Sequence, residues 1–443
     1  MFAYFATIAI LGIAAAYVYL LARSVEVGLI SLLAVTLFDL TFGLDANAIG
    51  RLHLRALDVV YLCLLIAGTI RFVHGIRLVN VSRGLAAGYL FVFAASLLRG
   101  MSANGLFAAA NEARGFVGPL AALLYFSDAP VDERSVVRYR EWYLIFGTAL
   151  CGVAVLAAAG LPVGVAAWAH TYAAALDHRY LPASAVAVVA VCAFLAVGWS
   201  DGRLHGFWGR CAPVLFVLVA ISLRHRTVWA MMLVGIVVIA FTDGPLFRRI
   251  LPCSLLALVA VGLLILYGPA GFDFAGEEEF ATSVSNADTW EWRVNGWQEL
   301  VDGSDQGLGS ILFGQPMGGG WLRIDAKSHL LDAAPPHSEY MTEYLRVGLI
   351  GLGLILLFAL SPLRLLWTGS QQEMAAIFPN PAIWGVITGM VLVYGVTYSI
   401  EPESYALLGL ANAVASKVSA QRREPVCDLF SAGEVELSSD TAV

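Results

Sequence analysis

The chain has 443 residues, 59% of them hydrophobic and 13% charged, with a mean hydropathy of +0.77. That balance excludes an ordinary water-soluble domain, because so apolar a surface must meet lipid. The net charge of −7 comes with acidic residues gathered after Gly268 and after Arg423, and neither stretch is a basic footprint for nucleic acid.

Apolar runs long enough to cross about 30 Å of hydrocarbon as helices recur from the first residue to about Ala415. A transmembrane barrel would alternate apolar and polar residues, and Leu255 to Leu266 or Val186 to Val197 do not. The expected fold is therefore an all-α polytopic membrane protein of about 12–13 transmembrane helices. Spans are expected near 2–22, 26–44, 56–72, 84–98, 105–126, 141–160, 181–200, 211–223, 227–243, 250–268, 347–363, 382–400 and 403–416. The first, Phe2 to Ala22, has no positive side chain before it and Arg23 after it, the reverse of a secretory signal, and is expected to stay as an anchor. The chain divides into an N-terminal bundle, 1–268, a polar loop, 269–346, C-terminal helices, 347–416, and a disordered tail, 417–443.

Orientation follows from arginine and lysine, which are retained on the cytoplasmic side. With the N-terminus outside, Arg23, Arg71, Arg77, Arg83, Arg134, Arg138, Arg140, Arg203, Arg210, Arg248, Arg249, Arg364, Lys417, Arg422 and Arg423 lie inside. The short turn Arg224-His225-Arg226 and the loop 269–346 then share the outer face. Within that loop Asp288 to Val301 reads as a helix, with Trp290, Val294, Trp297 and Val301 at helical spacing and Arg293 beside the two indoles. The turn-rich run Phe313-Gly314-Gln315-Pro316 and Gly318-Gly319-Gly320 follows it.

Few residues carry chemistry. Arg114 lies in mid-span, where an ionisable group costs several kcal/mol unless paired or wet. It is either functional, or paired with another helix, or nearer the end of its span than the hydropathy suggests, and Glu112, two residues away, is a poor partner because it does not face it. Arg224 and Arg226 flank a sharp turn, where they either grip a phosphate bidentately or simply snorkel. His337 follows Pro335-Pro336 and reads as opening the helix that runs into the span ending near Leu363, with Tyr340, Met341 and Tyr344 on its face. A helix N-terminus keeps an imidazole neutral and able to accept a proton, although a histidine there can equally be just a polar starting residue. The six cysteines, Cys63, Cys151, Cys192, Cys211, Cys253 and Cys427, form no close pair and read as small core residues. No HExxH, paired CxxC or Walker sequence is present. Gly198-Trp199-Ser200-Asp201-Gly202 ends an apolar helix rather than a strand, so it is not a nucleophile elbow, and Glu277-Glu278-Glu279 reads as solvated loop. Arginine rather than a metal or cofactor is the expected source of positive charge.

Arg226-Thr227-Val228-Trp229 opening a span, Arg293 and Trp297 as R-x-x-x-W, Phe313-Gly314, and Pro336-His337-Ser338-Glu339-Tyr340 ahead of Gly348-Leu349-Ile350-Gly351 occur in that order. Over roughly residues 210–365 this pattern resembles the O-antigen ligase and polymerase family, bacterial inner-membrane glycosyltransferases of the GT-C type. The resemblance implies a donor glycan on undecaprenyl diphosphate, held in a membrane lipid environment, with chain-length or export proteins as possible partners. It implies that Arg226 (or Arg224), Arg293 and Arg114 stabilise the leaving diphosphate, that His337 takes the acceptor proton, and that Trp297, Tyr340 and Tyr344 support them. Polymerase and ligase differ only in the acceptor, and the sequence leaves both open, leaning to polymerase. A secondary transporter is the remaining alternative, since it too would carry charge at membrane depth.

Overall fold

The computed structural model describes residues 2–42, 55–74, 81–164, 180–198, 211–242, 247–248, 250–252, 254–256, 288–304, 307–324, 331–333, 335–368 and 380–421. Most of the expected span 250–268, Trp199 to Gly202, Glu277 to Glu279, Cys253, Cys427 and the tail beyond Gln421 lie outside the described residues.

The described residues are almost entirely helical. In chain order the helices are α1 Phe2–Arg23, α2 Val25–Phe42, α3 Ala56–His74, α4 Val81–Asn104, α5 Leu106–Ser127, α6 Glu133–Ala158, α7 Ala183–Gly198, α8 Ala212–Ser222 and α9 Arg226–Thr242. After the polar segment begins come α10 Asp288–Asp302, α11 Leu308–Phe313, α12 Glu339–Leu360, α13 Leu365–Thr368, α14 Ala382–Gly395 and α15 Pro402–Gln421. Two three-residue strands, β1 Leu322–Ile324 and β2 Leu331–Ala333, pair antiparallel with Arg323 opposite Asp332. Five helical segments, 25–42, 57–74, 82–104, 134–158 and 339–364, are long and apolar enough to cross a membrane, and shorter apolar helices accompany them. This is the architecture of an α-helical membrane protein.

Burial sorts the helices. In α7 every residue but Ser184 is buried, as befits a helix that is apolar all round and sits at the centre of the bundle. Small residues let neighbours approach it, with Gly147 of α6 against Cys192 and Gly235 of α9 against Phe194. Outward-facing helices keep lipid-type exposure instead, such as Phe91 on α4 and Phe241 on α9. Local chemistry sets the helix starts: the Asp132 carboxylate caps α6 by accepting from the Ser135 amide at 2.9 Å, and that bond holds its pKa below the usual range.

The loops alternate between two ends of the bundle. At the lower end Arg83 pairs with Asp128, Arg71 donates to the Asp128 carbonyl at 2.6 Å, Arg138 meets Glu26 at 2.8 Å, and Asn412 gathers Ser82 and Ser361. At the upper end the Gly164 amide reaches the Thr41 carbonyl, His225 meets the Leu181 carbonyl at 3.1 Å, and Asn104 donates to Met317. One arginine departs from the expected distribution. Arg140 is fully buried in the bundle, donating to the Leu195 carbonyl, whereas Arg138 on the same helix is exposed and pairs with Glu26.

Two further differences bear on the site. Helix α12 is broken at Gly348, whose φ of 68° and ψ of −171° divide a short segment, 339–347, from the apolar one that follows. The cause is contact: a side chain at Gly348 would strike the Leu312 carbonyl and the Gly314 amide, while one at Gly314 would strike the Arg346 and Val347 backbone. The expected span 382–400 also stops early, at Gly395, and the chain turns back through Thr397 to Ile400 before α15.

Candidate functional site

Four segments meet at the upper end. The turn between α8 and α9 buries His225 and leaves Arg224 and Arg226 half-buried on either side of it. Thr227, in the first turn of α9, shares a 2.7 Å hydrogen bond with Thr397. The 398–400 stretch is clamped to the start of α12: the Glu339 amide donates to the Tyr398 carbonyl, and the Ile400 amide donates to the Glu339 carboxylate at 2.8 Å.

Helix α10 lies across this junction. The Trp297 indole donates to the Pro336 carbonyl at 2.5 Å, fixing the peptide just before His337, and Trp290 packs edge-on to Trp297 at 5.5 Å. Trp292 places its ring 5.8 Å from the His337 imidazole. The next residue, Arg293, sets its guanidinium 4.7 Å over the Tyr398 ring, and Tyr398 in turn stacks on Tyr394. Arg293 forms no ion pair among the described residues, and its Nε is buried without a hydrogen-bond partner among them. The ring face is an electrostatic attraction weaker than a carboxylate would give, so the cation keeps most of its charge for another group.

His337 does not open α12. It stands at φ 50°, one residue before the N-cap, and Ser338 is the cap, its hydroxyl accepting from the Met341 amide at 3.5 Å. The helical register of Tyr340, Met341 and Tyr344 therefore does not extend back to His337. Serine outranks histidine as a cap because its short side-chain oxygen reaches the free amides of the first turn. Tyr340 spends its hydroxyl on the Leu392 carbonyl at 2.5 Å, holding α14 against α12, and Tyr344 is half-buried on the same helix. Arg224, at φ 55°, shares with His337 a left-handed conformation that residues other than glycine seldom adopt.

Arg114 lies elsewhere. It lines a cavity of about 550 Å³ between α2, α3, α5, α7 and the turn before α15, with its Nε 3.9 Å from an Asp58 oxygen on α3. Pairing with another helix is thus observed, and neither Arg224, Arg226, Arg293 nor His337 lines this cavity. Glu401 also lines it. Enclosure by protein pushes that carboxyl above its usual range, against the pull of Arg55.

The sequence reading missed one array. Glu339, Glu343 and Arg346 recur at helical spacing on the first segment of α12 and are all buried. Glu339 accepts from Tyr405 at 2.6 Å and Glu343 from Tyr89 at 2.7 Å. Arg346 pairs with Glu112, donates to the Gly320 carbonyl at 2.6 Å and lies 3.9 Å over the Trp321 ring. Trp321 lines both the cavity of Arg114 and a second one of about 360 Å³ bounded by Glu299, Gln315 and Arg346. The spacing of these three charges was a readable signal, since charges on one face ahead of an apolar span must be satisfied inside the protein. Among the described residues no cluster of metal-ligating side chains occurs, and Cys63, Cys151 and Cys192 are buried thiols while Cys211 is exposed. No protein-family model matches the chain, and no curated protein matches it.

Proposed function

We propose that the chain transfers or polymerises a glycan carried on undecaprenyl diphosphate, working at the periplasmic face of a bacterial inner membrane. The observation that carries this reading is the junction of α10 with the segment before α12. It sets Arg293, a cation with no ion-pair partner among the described residues, next in sequence to Trp292, whose ring packs on His337. A diphosphate is a good leaving group, so the reaction needs charge stabilisation on one side and proton removal on the other. The acceptor hydroxyl oxygen attacks the anomeric carbon, the bond from that carbon to the diphosphate oxygen breaks, and the hydroxyl proton passes to His337. Arg293 and the half-buried Arg224 and Arg226 take the growing charge of the leaving diphosphate. Trp297 positions His337 through the Pro336 carbonyl.

Chain polymerisation and ligation to a lipid or protein acceptor use this chemistry alike and differ in the second substrate. A transporter reading draws on the break in α12 at Gly348 and the charged cavity, both features of solute pathways. Reconstitution separates these readings. With purified chain, lipid-linked glycan and acceptor, His337→Ala should insert normally and lose about 10² to 10⁴ in turnover. Arg293→Lys, which keeps charge but not the planar fork, should fall sharply as well. Turnover above about a tenth of wild type in both His337→Ala and Arg293→Ala would refute the assignment. Solute uptake by wild-type liposomes without glycan transfer would establish the transporter.

A further inference from the structure

The early end of α14 at Gly395 changes what Tyr398 can do. In a continuous span it would pack against lipid or a neighbouring helix. In the turn at 397–400 it stands instead among the segments that carry Arg226, Arg293 and His337. Three sets of contacts hold that turn. The Thr397 and Tyr398 amides both donate to the Tyr394 carbonyl at 3.2 Å, and the Tyr398 ring lies 5.2 Å from that of buried Tyr394, tilted by only 12°. Towards α12, the Glu339 amide donates to the Tyr398 carbonyl at 3.2 Å and the Ile400 amide to the Glu339 carboxylate at 2.8 Å. Towards α9, the Thr397 hydroxyl meets that of Thr227, the residue after Arg226, at 2.7 Å. Both the backbone and the ring plane of Tyr398 are thereby fixed.

Arg293 rests on this ring, its guanidinium 4.7 Å from the centroid. The choice of seat matters. An arginine that is ordered only when its anion arrives spends rotamer freedom on binding, whereas one already seated does not. A carboxylate would seat it equally well but would offset its charge. An aromatic face attracts the cation through its quadrupole and leaves the net charge in place. The turn that holds the ring also holds the first turn of α9, so cations on two helices far apart in sequence are referred to one rigid element.

We infer that Tyr398 is a positioning residue for Arg293: its ring presents the guanidinium, charged and already ordered, to the diphosphate, and the turn at 397–400 keeps that seat in register with α9 and α12. The inference rests on the functional reading above and adds to it a residue that touches neither the substrate nor the reacting atoms.

Equilibrium binding of undecaprenyl diphosphate to the detergent-solubilised full chain tests it. Tyr398→Leu, which removes the ring, should weaken binding by about three- to tenfold, the cost of ordering one arginine. Tyr398→Phe, which restores the ring face, should bring the affinity back to within about twofold of wild type. In an Arg293→Ala background Tyr398→Leu should add no further loss, because it acts through the arginine already removed. Phenylalanines of increasing fluorination placed at position 398 keep the size of the ring while draining its face of negative charge, and affinity should fall stepwise along that series. This series decides the matter even where Tyr398→Leu fails to fold. A flat response to fluorination, full affinity in a folded Tyr398→Leu, or an equal loss from Tyr398→Leu with and without Arg293 overturns the positioning role and leaves the functional reading standing. Failure of wild type to bind the lipid diphosphate sinks the functional reading and this role with it.

Discussion

Arg346→Met is the most informative single change for the fold around the site. The side chain is 5% exposed and its ion-pair partner Glu112 is 9% exposed, so both charges are shielded from water. Methionine fills similar volume, yet it leaves Glu112 with only the Gly318 amide and leaves the Gly320 carbonyl without its donor. Stripping one partner from a buried pair costs about 3–5 kcal/mol, most of it the exposed penalty of the remaining charge. Loss of the indole contact beneath the guanidinium adds about 0.5–2 kcal/mol. The second-site change Glu112→Gln should then recover roughly 2 kcal/mol or more, because a neutral amide can still accept from Gly318 and no charge is stranded. Equilibrium unfolding in mixed micelles, followed for wild type, both single variants and the double variant, gives the cycle. A cost below about 1 kcal/mol for Arg346→Met, or a double variant no more stable than that single one, would refute the pairing as a buried and consequential contact.

Gly348→Ala should lower the unfolding midpoint clearly, since a left-handed residue other than glycine costs about 1–3 kcal/mol before the collision of its Cβ with the Leu312 carbonyl is counted; an unchanged midpoint would mean that the break in α12 is not fixed by this contact. Asp302→Cys, at an exposed position ending α10, should react with a membrane-impermeant maleimide in intact spheroplasts, and labelling only after lysis would overturn the periplasmic placement of the site.

The sequence revealed helices far better than it revealed what joins them. Every expected span except 250–268, of which only 250–252 and 254–256 are described, overlaps a helix, although the one expected over 382–400 ends at Gly395, because length and hydropathy are local properties that lipid enforces. The α10 helix was legible for the same reason, through its indole spacing. Glu112 shows the limit. Its neighbour Arg114 could be ruled out as partner from helix geometry alone, but its true partner stands 234 residues away on α12, and no local pattern encodes that meeting. The start of α12 was misread by two residues because the double proline drew attention to His337. The capping preference of Ser338 was the better guide.

The strained backbone at the upper end has an address that follows from these contacts. Asn380, the third left-handed residue other than glycine among those described, lies two residues before α14 and is of a type that tolerates the conformation. Arg224 is not, and His337 is bounded on both sides: Pro336 is pinned by Trp297, and Ser338 is committed to capping α12. Arg224 is bounded in the same way by buried Leu223 and by His225, whose ring is tied to the Leu181 carbonyl. Strain of this kind persists only where surrounding structure over-determines it, and it gathers where a side chain must be presented in one direction. On the proposed reading the two strained residues are a diphosphate ligand and the base that deprotonates the acceptor. The fold would then spend stability at the two points where a misdirected side chain would cost the reaction most.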